Sequence, residues 1–208
     1  MEIWLVRHGE STWNSARRFQ GGLDAPLSAR GRSQAAALAV ELARTRFHAL
    51  YTSPLRRARD TAAVCGPVVG LDPVPVDDLR ELGLGSWEGL TIETVLADDG
   101  ERYRRWLKVP TGHAPPGGEP IASLAERVGA AFQGLCARHP AGRVLVVSHG
   151  GVIASALCGW LGRPLDSIWE VRLGNASITR ATLPGGRVLG INEIGHLSAE
   201  SAVEGVAP

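Results

Sequence analysis

The chain has 208 residues, of which 44% are hydrophobic and 21% charged, values typical of globular proteins and not of disordered or fibrous ones. Its formal net charge of +1 argues against a generalised nucleic-acid-binding surface, because such proteins carry a clear excess of basic residues. Arginine supplies nearly all of the positive charge, since Lys108 is the only lysine, so an acidic ligand must be met locally by guanidinium groups.

The length fits one α/β domain, and we expect residues 1–208 to form it, with 198–208 as a flexible tail. Cys65, Cys136 and Cys158 are widely spaced among apolar neighbours, which predicts buried thiols in a reducing compartment. The chain begins without a signal peptide, and no apolar run approaches the length of a membrane span. We therefore expect a cytoplasmic protein that binds neither nucleic acid nor membranes.

The first predicted element is a buried strand at residues 3–6, because a short apolar run there ends in the polar sequence Arg7-His8-Gly9-Glu10. A helix is predicted from Ser28, which can cap it and is followed by small and apolar residues at helical spacing. Residues 49–51 predict a second strand. Ser53 and Pro54 then predict the start of another helix, with serine as the cap and proline at the first helical position.

Val74 and Val76 fit a short third strand, after which several glycines interrupt regular structure. We expect a helix around residues 102–107, before the Pro/Gly-rich segment 115–118. Apolar residues between 124 and 135 repeat at helical spacing and predict an amphipathic helix.

The strongest strand is predicted at residues 144–147, four apolar residues that lead into Ser148-His149-Gly150-Gly151. A helix over residues 152–161 should begin right after that turn. Residues 177–183 and 187–191 flank the turn Pro184-Gly185-Gly186 and predict a β-hairpin.

Two of these strands end in a histidine that is followed by glycine, at His8 and His149. A strand end that leads into a helix start collects backbone N–H groups, and such a place attracts anions. Arg7 precedes the first histidine, and at least one arginine from the helix after the second strand should face the same spot: Arg56, Arg57 or Arg59. Two imidazoles and several guanidiniums suit a phosphoryl group, although each residue alone is more often structural or solvated.

The segment 5–14, Leu-Val-Arg-His-Gly-Glu-Ser-Thr-Trp-Asn, resembles the defining motif of the histidine phosphatase superfamily, also called phosphoglycerate mutase-like. The resemblance covers roughly residues 2–197 and implies a three-layer α/β/α sandwich with a mixed, mostly parallel central sheet. Further segments match the family in its order: Arg18-Phe19-Gln20-Gly21, Pro26-Leu27-Ser28, Ser53-Pro54-Leu55-Arg56-Arg57-Ala58, Leu79-Arg80-Glu81, Gly85-Ser86-Trp87-Glu88-Gly89, Pro116-Gly117-Gly118-Glu119 and Val147-Ser148-His149-Gly150-Gly151.

The resemblance implies that His8 is the nucleophile, whose ring nitrogen attacks phosphorus to form a phosphohistidine. It implies that three residues bind the phosphoryl oxygens, which stay charged through a loose transition state: Arg7, Arg56 and His149. It also implies a set of substrate-binding residues: Asn14, Gln20, Gly21 and Gly150.

An acid must protonate the leaving oxygen, and the resemblance places this duty on Glu81. The same carboxylate would then activate the water that hydrolyses the phosphohistidine. Three nearby carboxylates are rivals for the role: Asp77, Asp78 and Glu88. No metal or other cofactor is implied, because the sequence lacks metal-ligand spacing and a glycine-rich nucleotide loop.

The expected function is therefore that of a phosphatase acting on phosphomonoesters of small metabolites. The alternative is a cofactor-dependent phosphoglycerate mutase, and a third reading is a relative that binds a partner without catalysis. The short segment Gly85-Ser86-Trp87-Glu88-Gly89-Leu90 resembles the phosphatase branch, and the full set of site residues disfavours a mere binding module. Pro120 departs from the branch, which often has serine there. Homodimers are common in such relatives, so a homodimer is a further expectation.

Overall fold

The computed structural model of the protein describes residues 1–198. Its strands are β1 (Glu2–Arg7), β2 (Ala49–Thr52), β3 (Pro73–Pro75), β4 (Arg143–Ser148), β5 (Ile178–Thr182) and β6 (Arg187–Glu193). Its α-helices are α1 (Thr12–Ser15), α2 (Ala29–Leu42), α3 (Arg56–Val69), α4 (Ile92–Lys108), α5 (Ile121–Arg138) and α6 (Gly150–Trp160). Short 3₁₀ turns lie at Asp77–Leu79, Gly85–Trp87 and Leu165–Glu170.

All of these strands form one sheet in the order β3-β2-β4-β1-β5-β6. Strands β1, β2, β3 and β4 are all parallel to one another. Strand β5 is antiparallel to β1, and β6 is antiparallel to β5. The sheet is therefore mixed and mostly parallel, as predicted. The predicted hairpin around residues 184–186 is also confirmed, as the pair β5 and β6.

Side chains of the central strands alternate between two faces, and each face packs on its own pair of helices. Ile3 and Leu5 of β1 belong to the apolar cluster that contains α5 and α6. Val6 belongs to a second cluster, which contains α2 and α3. Because both faces are covered, β1 and β4 read as continuous apolar runs, and the three-layer α/β/α sandwich is confirmed.

The start of α3 differs from the sequence prediction. The helix begins at Arg56 rather than at Pro54, and Leu55 occupies its N-cap position. The Ser53 hydroxyl accepts a hydrogen bond from the Leu55 N–H at 3.2 Å, and it also bonds to His149 across the sheet. Ser53 therefore holds a turn before the helix and connects β2 to β4, instead of capping the helix.

Helix α4 is longer than the helix predicted at residues 102–107. It begins at Ile92, where the Thr91 side chain caps it by accepting the Thr94 N–H at 3.1 Å. The backbone leaves helical geometry at Asp99, so the segment is a pair of helical pieces with a kink between them. The kink interrupts the apolar periodicity, and for this reason only the second piece could be predicted from the sequence.

Cys65 and Cys158 are buried, Cys136 is half-buried, and all three are free thiols. Burial raises the pKa of the Cys65 thiol to about 12. Within residues 1–198, no helix combines the length and the apolar character needed to cross a membrane. Most of the predicted flexible tail, residues 199–208, lies outside the described residues.

Candidate active site

The two strands that end in histidine are neighbours in the sheet. Strands β1 and β4 are parallel with Arg7 opposite Ser148, so His8 and His149 leave the sheet side by side. The His8 N–H donates to the Ser148 carbonyl at 2.9 Å. The two imidazole rings meet edge to face with centroids 5.2 Å apart, and both side chains are buried. The register of the sheet thus brings together the two histidines that the sequence singled out.

The hydrogen bonds of His8 fix which ring nitrogen carries the proton. Its Nδ1 lies 2.7 Å from the Gly9 carbonyl oxygen, which can only accept. The Arg57 Nε–H donates to His8 Nε2 at 3.2 Å, so Nε2 presents its lone pair. Burial, together with the charges of Arg57 and Arg7, holds the pKa of His8 well below its usual value. His8 is therefore a neutral imidazole that presents the lone pair of Nε2.

His149 is neutral for the same reasons, but its hydrogen bonds give it a different role. Burial lowers its pKa well below the usual value, and the nearby charge of Arg57 adds to this effect. Its Nε2 lies 2.7 Å from the Ser53 hydroxyl, which also accepts the Leu55 N–H. Its Nδ1 is buried and has no partner within residues 1–198. His149 is not among the residues that line the cleft, but its ring contacts the ring of His8, which does line it.

Helix α3 directs Arg57 into the site, and the prediction that Arg56 would lie there is wrong. Arg57 is 1% exposed, and besides its bond to His8 it donates to the carbonyls of Leu23 at 2.8 Å and Gly21 at 2.9 Å. The Arg56 side chain is 54% exposed and pairs with Asp60, one turn along the outer face, at 3.5 Å. The two arginines differ because adjacent helix positions point about 100° apart.

The buried face of α3 contains the signal that identifies Arg57. Thr61, four residues later, is also buried; it accepts the Gly9 N–H at 3.0 Å and donates to the Arg57 carbonyl at 2.7 Å. Small or apolar residues with the same spacing, Ala58, Ala62 and Cys65, complete this face. Burial lowers the pKa of Arg57 to about 10, a shift that the charges of Glu81 and Asp24 oppose, so Arg57 remains a cation at neutral pH.

Arg7 supplies the second guanidinium of the site. Its Nη1 donates to the Leu173 carbonyl, whereas its Nε is buried and has no partner among the described residues. Burial lowers the pKa of Arg7, and the charge of Glu81 opposes that shift. A Cβ placed on Gly150 would lie 3.6 Å from Arg7 Nε, which shows how closely the N-terminus of α6 approaches this guanidinium.

Glu81 reaches the same cleft from the loop after β3. Its carboxylate accepts the Leu82 N–H at 2.9 Å and the Gly151 N–H, at the N-terminus of α6, at 3.3 Å. A Cβ on Gly151 would come within 2.5 Å of Glu81 Oε1, so this approach depends on glycine. The positive end of the α6 dipole suits the carboxylate there.

The three rival carboxylates do not line the cleft. Glu88 accepts the N–H groups of Gly22 and Leu84, both at 2.9 Å, and so holds two loops together. Asp77 and Asp78 lie exposed in a 3₁₀ turn. Of the four candidates for the acid, the structure brings only Glu81 to the cleft that His8 and Arg57 line.

Arg127 of α5 holds the loop that carries Glu81. Its guanidinium donates to the carbonyls of Asp78 at 2.8 Å, Arg80 at 2.7 Å and Glu81 at 3.2 Å. It also makes two hydrogen bonds to Glu119, at 2.6 and 2.8 Å, and Glu119 in turn accepts the Gly83 N–H at 3.2 Å. We call the pair Arg127–Glu119 the loop clamp. In the sequence, Glu119 ends the matched segment Pro116-Gly117-Gly118-Glu119 but has no assigned role, and no pattern distinguishes Arg127.

The loop clamp is charged on both sides. Burial opposes ionisation of Glu119, but the hydrogen bonds and charge of Arg127 together hold the pKa of that carboxyl below its usual value. Both side chains are about one-fifth exposed, at 19% and 21%, so the pair is shielded from much of the solvent screening that weakens surface ion pairs.

The residues predicted to bind substrate all line the cleft. Asn14 Oδ1 accepts the Ser11 N–H at 3.0 Å, which leaves the Asn14 amide N–H groups to serve as donors. Gln20 accepts the Ser11 hydroxyl at 2.6 Å. Gly21 has φ +51°, and a Cβ there would collide with the Glu88 carboxylate. The structure thus places these residues at the cleft with His8, and their binding roles stay predictions.

Asn175 is a site residue that the sequence did not assign. It lies in the segment between the last 3₁₀ turn and β5, and its Nδ2 donates to the His8 carbonyl at 3.1 Å. The next residue, Ala176, donates its N–H to the Arg7 carbonyl at 2.9 Å. These bonds fix the backbone of the first histidine from the side opposite to β4. The sequence pattern Gly174-Asn175-Ala176-Ser177 had stood out, but only as a weak likeness.

The cleft has a volume of about 990 Å³, part of it open to the solvent. We call its solvent-exposed part, which holds Arg17, Arg18 and Arg172, the mouth. The mouth has an apolar wall formed by Leu82, Leu84, Ile92, Ile168, Trp169 and Val171, and three arginines, Arg17, Arg18 and Arg172, lie among these residues. Among the described residues, no group of three or more His, Cys, Asp or Glu side chains is arranged to hold a metal ion.

Comparison with known families and proteins agrees with this site. The family model described as "Histidine phosphatase superfamily (branch 1)" matches residues 3–192. The chain is 37% identical to phosphoserine phosphatase 1 of Hydrogenobacter thermophilus over 177 residues, which are 85% of this chain and 84% of the relative. It is also 37% identical over 183 residues to the probable phosphoglycerate mutase GpmB of Escherichia coli O1:K1, with 86% of this chain and 84% of the relative covered.

The fold is similar to that of a solved mycobacterial glucosyl-3-phosphoglycerate phosphatase in complex with VO3. The TM-score is 0.86 at 34% sequence identity, and the alignment covers 93% of this chain and 99% of the other.

Proposed function

Because the chain belongs to the histidine phosphatase superfamily, we propose that it hydrolyses phosphomonoesters of small metabolites through a phosphohistidine formed on His8. One observation carries the proposal: a neutral imidazole whose Nε2 lone pair faces the Arg57 guanidinium, with the charge of Arg7 nearby. Such a nitrogen can attack phosphorus while the guanidiniums bind the oxygens.

Binding of the phosphoryl group engages donors that the protein has already fixed in place. Arg7 and Arg57 are held by backbone carbonyls, so little reorganisation is needed when the dianion enters. The Arg57 Nε–H, which donates to His8 Nε2, needs only a small shift to bond a phosphoryl oxygen instead, and this frees the lone pair for attack. We assign a proton to the unpartnered His149 Nδ1, beside His8, so that this nitrogen and the Asn14 amide add neutral donors for the phosphoryl group.

In the first chemical step, His8 Nε2 forms a bond to phosphorus as the bond from phosphorus to the ester oxygen breaks. The Glu81 carboxylic acid gives its proton to that oxygen, so the leaving group departs as an alcohol. The Gly9 carbonyl keeps the His8 Nδ1 proton in place and orients the ring. Most of the catalysis comes from positioning and from the two guanidiniums, because the transition state of phosphoryl transfer is loose.

In the second step, water attacks the phosphohistidine. The Glu81 carboxylate takes a proton from the water, the P–N bond breaks, and inorganic phosphate and neutral His8 are formed. Glu81 is then a carboxylic acid again, ready for the next ester. One carboxylate thus serves both steps, and the loop clamp keeps it at the cleft throughout.

The test is to trap the intermediate. The wild-type enzyme, mixed with ³²P-labelled substrate and quenched in alkali, should carry label that is lost in acid, as expected for phosphohistidine and not for phosphoserine. His8→Ala should carry no label and should not turn over substrate, while its circular dichroism spectrum stays native. Labelling of His8→Ala to the wild-type level would show that the nucleophile is another residue.

A second candidate is a cofactor-dependent phosphoglycerate mutase, favoured by the similarity to GpmB proteins. In that reaction a second substrate hydroxyl, rather than water, takes the phosphoryl group from His8. The two are separated by assaying 3-phosphoglycerate with and without a bisphosphoglycerate primer. Phosphate release that is independent of primer supports the phosphatase, whereas isomerisation that requires primer supports the mutase.

We further propose that the enzyme works without a metal ion, in the cytoplasm, on small phosphorylated metabolites rather than nucleic acids, and as a homodimer. Dialysis against EDTA should leave phosphate release unchanged, because the described residues supply all the positive charge in the proposed steps. Light scattering measures the oligomeric state directly.

A further inference from the structure

Resting on the proposed function, we infer that Ser53 is a positioning residue for the reaction. Its hydroxyl donates to His149 Nε2 and thereby keeps the ring proton of His149 on Nδ1, where it serves a phosphoryl oxygen bound at His8. Ser53 does not line the cleft, so it acts on the reaction only through His149.

The strand order of the sheet sets three side chains of the site in a row. Because β4 lies between β2 and β1, His149 at the end of β4 lies between Ser53, which follows β2, and His8, which follows β1. Backbone bonds fix this alignment: the Ser53 N–H donates to the Val147 carbonyl, and the His8 N–H to the Ser148 carbonyl, both at 2.9 Å. His149 thus has the Ser53 hydroxyl 2.7 Å from Nε2, and its ring centroid lies 5.2 Å from that of His8.

His149 carries a single ring proton, because burial and the charge of Arg57 hold its pKa well below the usual value. A proton on Nε2 would be donated to Ser53 Oγ, so the Ser53 hydrogen would have no acceptor among the described residues and Nδ1 would be a second unpaired atom. A proton on Nδ1 lets the Ser53 hydroxyl donate to Nε2 and leaves only the Nδ1–H without a partner. Unpaired buried polar groups are costly, so the hydrogen-bond count favours the proton on Nδ1.

The tautomer decides whether His149 attracts or repels the substrate. Its Nδ1 is buried, has no partner within residues 1–198 and belongs to a ring that contacts the ring of His8. Ionised phosphoryl oxygens only accept hydrogen bonds, so an Nδ1–H binds one of them, whereas a bare lone pair repels it. Because those oxygens stay charged through the transition state, a donor that is in place before the substrate enters lowers the barrier.

The first test reads the tautomer directly. Two-bond ¹H–¹⁵N NMR spectra of protein with ¹⁵N-labelled histidine, recorded with and without inorganic phosphate, distinguish a protonated ring nitrogen from a bare one. The signals of His149 are those that disappear in His149→Ala. The wild-type protein should show Nδ1 protonated and Nε2 bare, and phosphate should shift the Nδ1–H signal.

Variants of Ser53 should change that spectrum. Ser53→Ala should move the proton of His149 toward Nε2, and Ser53→Cys, whose thiol is a weaker donor, should do so less and serves if the alanine variant does not fold. Thr52→Val is the matched control. It removes the neighbouring buried hydroxyl, which donates to the Ser53 carbonyl at 3.1 Å and not to His149, and it should leave the tautomer unchanged.

The second test is a double-mutant cycle on kcat. Ser53→Ala should lower kcat for p-nitrophenyl phosphate by about 10-fold, as expected for the loss of one hydrogen bond, and Thr52→Val by less than about 2-fold. In the His149→Ala background, Ser53→Ala should add less than about 2-fold, because the hydroxyl then has no ring to act through. Thermal unfolding of every variant separates a loss of stability from a loss of rate.

The outcomes separate this inference from the proposed function. A proton on Nε2 of His149 in the wild-type protein, a tautomer that is unchanged in the Ser53 variants, or losses of kcat that multiply in the double variant would each overturn the inference while leaving a working phosphatase. A wild-type enzyme that releases no phosphate from any ester, p-nitrophenyl phosphate included, would instead refute the proposed function, and the spectra would still report the tautomer.

Discussion

The inner end of the cleft and its mouth both contain arginines, but the protein holds them in opposite ways. At the inner end, Arg57 is buried and bonded to two carbonyls and to His8, and Arg7 is bonded to the Leu173 carbonyl. At the mouth, Arg172 is exposed and has no partner within residues 1–198. Tethered charges suit a transition state, because they need no reorganisation, whereas open charges suit recognition of a variable group. In the proposed function, the buried arginines therefore serve the chemistry, and the exposed part of the cleft is left to contact the alcohol group.

The largest effect is expected for substitution of Arg57, which lies in the cleft, in comparison with its neighbour Arg56, which lies outside the cleft. Arg57→Ala should lower kcat/KM for p-nitrophenyl phosphate by about 10²–10³-fold, because it removes a fixed donor to the phosphoryl oxygens. Arg56→Ala should lower it by less than about 3-fold, because that side chain is paired with Asp60 outside the cleft. Thermal unfolding of both variants controls for stability, and Arg57→Lys tests whether charge alone restores activity. Equal losses for Arg56 and Arg57 would remove the distinction between the two.

The next largest effect on kcat/KM is expected for substitution of Glu81, the proposed acid, and it should depend on the leaving group of the ester. Glu81→Gln cannot protonate a leaving oxygen, so it should slow alkyl phosphates by about 10²-fold and activated aryl phosphates far less. The measurement is kcat/KM across esters of increasing leaving-group pKa, where the variant should show a steeper dependence than the wild type. Glu88→Gln is the matched control, since its carboxylate bonds to loop N–H groups outside the cleft. Equal slowing of both classes of ester would mean that another group is the acid.

A smaller effect is expected at the loop clamp, which lies outside both regions and holds the loop of Glu81. Arg127→Met should slow alkyl phosphates by about 10-fold, because a misplaced acid loses part of its proton-transfer geometry. The rate with p-nitrophenyl phosphate reports whether the rest of the site is intact and should fall much less. Arg138→Met, an exposed arginine on the same helix, serves as the control. A uniform loss for both ester classes would indicate a general structural role for Arg127 and not positioning of the acid.

The smallest change should be seen with pH. Burial and two nearby cations, Arg57 and Arg7, lower the pKa of His8. His8 should therefore gain a proton, and lose its nucleophilic lone pair, only at a pH below about 6.5, the usual pKa of histidine. After correction for ionisation of the substrate, kcat/KM should stay level as the pH falls from 7.5 through 6.5. A decline centred at or above 6.5 would show that His8 titrates as an ordinary exposed histidine.

The sequence predicted those features of the site that depend on strand ends. An apolar run that ends in Arg-His-Gly is a local signal, and the parallel register of β1 and β4 then places His8 beside His149. The choice between Arg56 and Arg57 depended on which face of α3 is buried, whereas Arg56 had been assigned from the resemblance alone. The buried spacing from Arg57 to Thr61 was the signal that had been overlooked.

Other residues of the site are placed by contacts between distant parts of the chain, and no pattern in the neighbouring sequence predicts such contacts. Arg127 meets the Glu81 loop across about 46 residues of sequence, and only the packing of α5 reveals the contact. Arg172 reads as an ordinary surface arginine until the folded chain places it on the cleft wall. Residues of this kind cannot be distinguished from solvated ones by composition or spacing.

In the proposed function, the fixed donors around His8 bind the three charged oxygens on phosphorus and no atom of the alcohol. Inorganic phosphate presents the same oxygens after hydrolysis, so Arg7 and Arg57 hold it about as well as they hold the ester's phosphoryl group. The alcohol, by contrast, keeps only its contacts at the mouth and leaves first. The tethering that removes reorganisation from the chemical step thus makes release of phosphate the slow departure, and the enzyme should be inhibited by phosphate far more than by its other product.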